Sequence, residues 1–350
     1  MKRTLPIILL LCAASAFAAD EKEAYCAYVL QQADAQKVFF RTPSIEGGVS
    51  QEPISSGVPQ IYAGVLNSIS GDRKARLLMI AAAKDCALFG TTTDAKLRIQ
   101  FDLVSINKQV LQGRIVFEQA AIQHVDAIVA EAQKLVQEQN ISVPTLYTLE
   151  ETRAKLEIDI ANCRLLIASL YTPILNPTPL RQFIDLKQLQ EVDAQKAQNK
   201  VAQQDNWDVA LTVGMHHSVT TPFQQGPGGY GGFKVSYNLG SAARDAALER
   251  SANAYGEYKL ARHDDVAFLA GVLKKEVEES IATQDAALQI DQKEINKIDA
   301  HLAQIGTVDT NSAMSFANQL KQLDKLVVGV EISTAQLRSQ LLSQYLTDNF

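Results

Sequence analysis

The stretch NWDVALTVGMHHSVTTPFQQGPGGYGGFKVSYNLG, residues 206–240, alternates apolar and polar residues in a chain otherwise rich in long Ala- and Gln-containing runs. Trp207, Val209, Leu211, Val213 and Met215 fall on one face, with Asp208, Ala210, Thr212, Gly214 and His216 on the other. On the return, Phe233, Val235, Tyr237 and Leu239 alternate with Lys234, Ser236 and Asn238. A period of two marks strands with one buried face. Each run is about ten residues, the length a tilted membrane strand needs. Trp207 and the tyrosines near the ends suit an interfacial aromatic belt. The nine apolar residues are read as lipid-facing, and TTPFQQGPGGYGG as the loop between the strands.

A second, weaker hairpin lies upstream, at about residues 39–69. There Ile45, Gly47 and Val49, then Ile61, Ala63, Val65 and Ile69, keep the same alternation. Shifting the chain by about 168 residues lays GVLNSISGDRKAR, residues 64–76, over GFKVSYNLGSAAR, residues 232–244. Both are the end of an extended segment, a Gly, and a first helical turn containing Arg. Two repeats follow, about 19–180 and 181–350, each a short helix, a hairpin and a long helical hairpin. The first short helix is expected over Glu21 to Lys37. The first long helix is expected from about Asp72 to Gln139, broken only by the polar run GTTTDAK, residues 90–96, a place for a bend. It returns from Leu146 to Leu170. Pro173, Pro177 and Pro179 stop that helix, because proline lacks an N–H and clashes with the preceding turn, and Arg181 to Gln204 resumes as helix. The second long helix is expected from Ala242 to Gln304, returning from Ser312 to Gln344.

Phe316, Leu320, Leu323, Val327, Val330, Leu337 and Leu341, with Thr334 between, step by fours and threes. Leu97, Phe101, Val104, Leu111, Ile115, Ile122, Val125, Val129 and Val136 do the same, interrupted by Lys108 and Glu118. A sustained 3.5-residue repeat implies left-handed supercoiling against neighbouring helices. The longest helix would span roughly 100 Å, too long for an ordinary globular core. Helices of this kind alone would fit a generic coiled-coil protein, which leaves the hairpins without a role.

The N-terminus MKRTLPIILLLCAASAFAAD has two basic residues, an apolar core and small residues ending at Ala18, the pattern of a secretory signal over residues 1–18. Cys12 follows Leu11, whereas lipid attachment wants a small residue there. Loss of Lys2 and Arg3 takes the net charge from −6 to −8. An acidic exported chain with no basic patch is a poor partner for nucleic acid. No later segment reaches the ~20 apolar residues of a spanning helix, so strands must make any membrane crossing. Four strands cannot close a barrel in lipid, where open edges are not tolerated. The chain must therefore oligomerise, and three copies would supply twelve strands.

At these features the sequence resembles the TolC-type outer-membrane efflux proteins. The resemblance rests on the two-fold repeat, the hairpins each followed by a long helix, the junction GGFKVSYNLGSAARDAALERSANAY and the turn NISVPTLYTLEETRAKLEIDIA. It covers essentially the whole mature chain. It implies a mixed α/β membrane protein whose homotrimer forms a twelve-stranded β-barrel in outer-membrane lipid, continued by an α-helical barrel across the periplasm. It implies a passive export conduit of a tripartite efflux or type I secretion-like system, working with a periplasmic adaptor (membrane fusion protein) and an inner-membrane transporter. The chain is short for that family after its last helix, which implies a reduced equatorial belt. The alternative is a periplasmic adaptor or structural coiled-coil protein that bridges membranes without a pore.

By the same resemblance the helical tips are where such a channel narrows and where adaptors dock. Asp309, in the second turn, is a pore-constriction candidate, since carboxylate rings in a narrow pore select cations; an ordinary polar turn residue is the alternative. Leu149 and Arg153 after the first tip, and Leu320 and Lys321 after the second, match the adaptor-contact region in position. Cys26 lies about 13 residues before the first strand and Cys86 about 16 after the second, so the two reach similar depth on helices leaving one hairpin. They form either a disulfide or two buried thiols, with Cys163 free. Adjacent His216 and His217 point to opposite faces of a strand and cannot readily share a metal; they read as polar residues at a loop edge. GPGGYGG lacks the Lys-Ser/Thr of a phosphate-binding loop. No nucleophile–base or carboxylate pair stands out, so no enzymatic activity, cofactor or metal is expected.

Overall fold

Helices make up most of the chain, and one small antiparallel sheet interrupts them. The computed structural model describes residues 16–51, 59–138, 142–218, 228–260, 265–305 and 312–350. The elements are α1 (Ala16–Arg41), β1 (Ser44–Gln51), β2 (Pro59–Ser68), α2 (Ile69–Gln137), α3 (Val143–Ser169) and α4 (Leu180–Gln203). A 3-10 turn (Gln204–Asn206) leads into β3 (Trp207–Ser218), β4 (Gly228–Tyr237), α5 (Ser241–Leu260), α6 (Val266–Ile305) and α7 (Ser312–Asn349). Helix, hairpin, long helix and returning helix thus occur twice in order, with the second long helix in two pieces. Most of the expected signal segment lies outside the described residues.

Two long-helix expectations change. The run at residues 90–96 does not end α2, which is helical throughout Ile69–Gln137. The Thr91 and Thr92 hydroxyls donate to the carbonyls of Ala87 (3.1 Å) and Leu88 (2.8 Å), so these polar side chains are satisfied on the helix itself. In the second half the single helix expected over 242–304 is two: α5 ends at Leu260, Asp265 is a bend, and α6 starts at Val266. Aspartate is a favoured residue immediately before a helix, and Asp265 is held there by an ion pair to Lys187 at 2.6 Å.

The chain divides into two compact units, one of Lys96–Arg181 and Val266–Phe350 and the other of Ala14–Ala95 and Gln182–Asp265. In the first, Ala121, Val125, Val129 and Ala132 of α2 pack with Leu149 and Leu156 of α3 and Leu323 and Val330 of α7. The spacing of these residues along α2 and α7 is the stripe expected of packed amphipathic helices. Each fully buried leucine contributes roughly 1.5–3 kcal/mol. α3 starts with proline in its first turn and ends at Leu170, in extended conformation, before the three prolines. Asn176 Oδ1 then accepts from the Thr178 N–H and hydroxyl. The first N–H of α4, on Leu180, is capped from α7 by buried Asn349 Oδ1 at 3.1 Å, which satisfies a donor the helix cannot satisfy itself.

In the second unit a disulfide joins Cys26 of α1 to Cys86 of α2 across a Cα separation of 5.0 Å. Among the described residues, Cys163 is the free thiol, and it is buried. This unit also carries the whole sheet, antiparallel in the order β1-β2-β3-β4. The two hairpins are joined by pairing of β2 with β3, from Gln60 opposite Ser218 to Ser68 opposite Ala210.

Candidate functional site

The sheet's register sorts its residues into two unlike faces. On one, Ile45 stands opposite Val65, which stands opposite Val213; Val49 stands opposite Ile61, and Ala63 opposite Met215. Leu211 stands opposite Phe233, Val209 opposite Val235, and Trp207 opposite Tyr237. This face is mostly apolar and uncovered, with Asn67 opposite Leu211 and His217 opposite Ile61 as polar members: Ile45 is 86% exposed, Val49 72%, Met215 61% and Phe233 75%. Trp207 and Tyr237 lie side by side with ring centroids 4.5 Å apart, at the end of the sheet where the helices begin. Eight of the nine residues expected on this face sit in strands. Leu239 does not: β4 ends at Tyr237 and Leu239 lies in a turn. The strand stops because Asn238 Oδ1 accepts the Gly240 N–H (2.9 Å) and the Asn238 carbonyl accepts that of Ser241 (3.0 Å), folding the chain into α5.

The opposite face is small, polar and aromatic. Gly64 and Gly214 stand directly opposite each other, and the Tyr230 phenol lies across both. A Cβ on Gly64 would meet the Tyr230 hydroxyl at 2.6 Å, and one on Gly214 would meet its ring at 2.7 Å. The Tyr62 ring lies likewise on Gly48, and the His216 imidazole on Gly228. Tyr230 is 6.4 Å from Tyr62 and 6.3 Å from His216, centroid to centroid. His216 pairs with Tyr62 and His217 with Ile61, so the two histidines take opposite faces. Both lie within the last three residues of β3, at its loop end. Among the described residues no cluster of His, Cys, Asp or Glu could hold a metal ion. The aromatic row was not singled out from the sequence; its signal is a glycine recurring next to an aromatic in GPGGYGG.

The root of the sheet is a charged knot. Asp205 accepts from Lys74 and, at 2.8 Å, from Arg244. Burial pushes its carboxyl up, but these two cations pull it below the usual aspartate range. Asp208 accepts from the Ser70 hydroxyl at 2.7 Å and from Ser68 at 3.2 Å. Lys74 also lies 4.5 Å from the centre of the Phe40 ring, a cation–π contact. β3 is therefore tied to the end of β2 and the start of α2 by both charges and hydroxyls.

The helical positions are placed differently from one another. Leu149 is fully buried in the α2–α3–α7 core, which corrects its expected role as an adaptor contact: a side chain in that seam has no surface to offer. Leu320 packs partly against the same core. Arg153 is on the surface and bonds Asp126 and, at 2.9 Å, Glu157. Lys321 pairs with Asp324 at 2.9 Å. Asp309 lies outside the described residues. The seam interruption at Glu118 is a buried ion pair: Glu118 accepts from Arg114 at 2.6 Å, and Arg114 also reaches Glu331 of α7 at 3.0 Å and Asp159 of α3 at 3.7 Å. Burial raises the Glu118 carboxyl against the opposing pull of Arg114. It also raises the Cys163 thiol, with Glu118 adding to the effect.

No protein-family model matches the chain, and no curated protein sequence does. Its fold is similar to those of outer-membrane channels. The outer membrane protein VceC of Vibrio cholerae is 16% identical, with 95% of this chain and 93% of that one covered and a TM-score of 0.43. The MtrE outer membrane channel of Neisseria gonorrhoeae, in its open state, is 12% identical, with 95% and 85% covered and a TM-score of 0.47. The CmeC outer membrane channel of Campylobacter jejuni is 11% identical, with 93% and 82% covered and a TM-score of 0.42.

Proposed function

We propose that this chain is one protomer of a non-enzymatic outer-membrane channel, a passive export conduit of a tripartite efflux or type I secretion-like system. The observation that carries this reading is the four-stranded sheet with one uncovered, mostly apolar face and one polar face. Such a face in water would be an aggregation hazard; in a bilayer it is the outward band of a β-barrel. The sheet ends in β1 and β4, and each outer edge must be paired before the strands can sit in lipid. Three copies closing edge to edge give twelve strands, the number the family resemblance implies. No helix among the described residues is long and apolar enough to cross a membrane, a statement about helices that leaves the strands free to do so.

On this reading each chain contributes two repeats to the trimer, its helices continue the barrel into the periplasm, and a periplasmic adaptor and an inner-membrane transporter complete the system. Asp309 remains the constriction candidate. Arg153, Lys321 and Leu320 remain the adaptor-contact candidates, without Leu149. Fractionation tests the reading. The mature chain is expected in the outer membrane, extracted only by detergent, with the mass of three copies. Recovery as a soluble periplasmic species would overturn it in favour of a non-pore coiled-coil protein.

A further inference from the structure

The polar face of the sheet holds groups that the conduit reading leaves without a task. We propose that Glu46, Tyr62, Tyr230 and His216 form a pH-responsive selectivity belt in the barrel lumen, favouring small cations when the imidazole is neutral and losing that preference when it is charged. The proposal rests on the reading above, in which this face lines the lumen.

Three features of the geometry carry it. First, the groups lie in two adjacent cross-strand rows, Glu46–Gly64–Gly214–Tyr230 and Gly48–Tyr62–His216–Gly228. The belt is therefore one narrow level of the sheet rather than a scatter of residues. Second, each ring is seated on a glycine of a neighbouring strand, with the Tyr62 hydroxyl 3.0 Å from the Cβ position of Gly48 and the His216 imidazole 2.8 Å from that of Gly228. Each ring thus packs against backbone at a position where no side chain displaces it. Third, among the described residues the charges facing His216 are few. Glu46 comes from β1, Tyr62 from β2, and Tyr230 from β4. Lys234, also of β4, pairs with Ala210, six residues down the strand from His216 and so roughly 20 Å away, beyond the Debye length of about 8 Å. His217 faces the other way and takes no part.

Histidine is the side chain suited to a charge change between about pH 5 and 8. With the imidazoles neutral the belt carries the Glu46 carboxylates, one from each copy. With them charged, an equal number of imidazolium charges offsets those carboxylates. A ring of carboxylates attracts cations and repels anions, and cancelling it removes the discrimination.

The test is reversal-potential measurement across a planar bilayer under a KCl gradient, with the detergent-extracted assembly, at about pH 8 and about pH 5. The expected result is a several-fold fall in the potassium-to-chloride permeability ratio on acidification. His216→Gln should keep the high-pH ratio at both values, and Glu46→Gln should lower the ratio at both. His217→Gln, altered on the opposite face, should behave as the parent. Each variant is first shown to assemble with the parent's mass in detergent. A full pH response in His216→Gln, or none in the parent, would overturn the belt while leaving the channel reading intact. Absence of conductance from every assembled protein would overturn the channel reading and the belt with it.

Discussion

The two halves of the chain run through the same elements but hold their long helices by different means. In the first half α1 is bonded covalently to α2 through Cys26 and Cys86. Around that bond Tyr25 stacks on Phe89 at 3.9 Å and its hydroxyl donates to Asp85 at 2.9 Å, while Lys22 pairs with Asp94 at 3.2 Å. The residues 168 positions further on are Ala194 and Ala254, so the second half has no such bond. There the long helix is interrupted before α6, and buried Lys187 of α4 holds the interruption through Asp265 at 2.6 Å and Glu191 at 2.7 Å. Along the long helix the contrast persists. The α2 pairs Arg98–Asp102 and Arg114–Glu118 correspond, at the same offset, to Val266 with Ala270 and Ala282 with Ala286. At these positions one half uses covalent and ionic ties along an unbroken helix, and the other has small apolar residues, with buried Lys187 beside its interruption.

The largest expected effect comes from removing the covalent tie. The disulfide closes a loop of 60 residues, for which the loss of unfolded-chain entropy amounts to about 4 kcal/mol. Cys26→Ala with Cys86→Ala should lower the thermal midpoint of the detergent-solubilised protein, and reductant should lower the parent to match. An unchanged midpoint would mean that the first half needs no more than the second does. Next comes Lys187→Ala. The Lys187 side chain is 8% exposed and those of Asp265 and Glu191 are 11% and 14%, so its loss removes two ion pairs that are largely out of water. A cost of about 3 kcal/mol is expected, read as a lowered denaturant midpoint with local loss of amide protection around the start of α6.

Much of this contrast was hidden in the sequence for identifiable reasons. The strands were legible because period two is a local signal, and Trp207 to Met215 display it without help from the rest of the chain. Leu239 continued the alternation on paper, but Asn238 turns its own backbone, and a side-chain hydrogen bond of that kind overrides hydrophobic pattern. The helix break was misplaced because Gly90 and three threonines look like a breaker, whereas Asp265, where the chain bends, has no Gly or Pro beside it. What decides between them is tertiary: Lys22 across from Asp94 in one half and Lys187 beside Asp265 in the other. Leu149 shows the same limit. Its place after the tip was readable, but the face it takes depends on α2 and α7, far away in sequence. Glu118 broke a heptad visibly, yet nothing near it in sequence announces that Glu331, 213 residues later, shares its arginine.

Glu118→Gln tests whether the charged seam of α2 is a stabilising feature or a cost. One carboxylate oxygen of Glu118 is buried without a partner among the described residues, and burial raises its pKa above the usual glutamate value of 4.5. A raised native pKa means that the folded state keeps the proton at a pH where the unfolded chain has released it. The stability this group contributes is therefore fully present below about 4.5 and is lost as pH rises through the raised native value. The glutamine keeps an acceptor for Arg114 without the buried charge, so at neutral pH it should be more stable than the parent by about 1 kcal/mol. That advantage should shrink as the pH falls toward 4.5. An advantage that persists undiminished into acid would show that the gain has another origin than the ionised carboxylate.

The smallest effect is expected at the counterpart of Lys187. Lys22 pairs with Asp94, its side chain is 42% exposed and that of Asp94 is 22% exposed, so water already screens most of the attraction and Lys22→Ala should cost less than about 1 kcal/mol. The methylene groups of Lys22 also lie over Gly90, whose Cβ position is 2.6 Å from the lysine Cε, so part of even that small loss is packing rather than charge. Raising the salt concentration separates the two, because screening weakens the ion pair and leaves the packing unchanged. In high salt the difference between parent and Lys22→Ala should fall but not vanish. A loss as large as that of Lys187→Ala, insensitive to salt, would mean that the continuity of α2 past Gly90 depends on this lysine, and that the two halves are held more alike than their burial suggests.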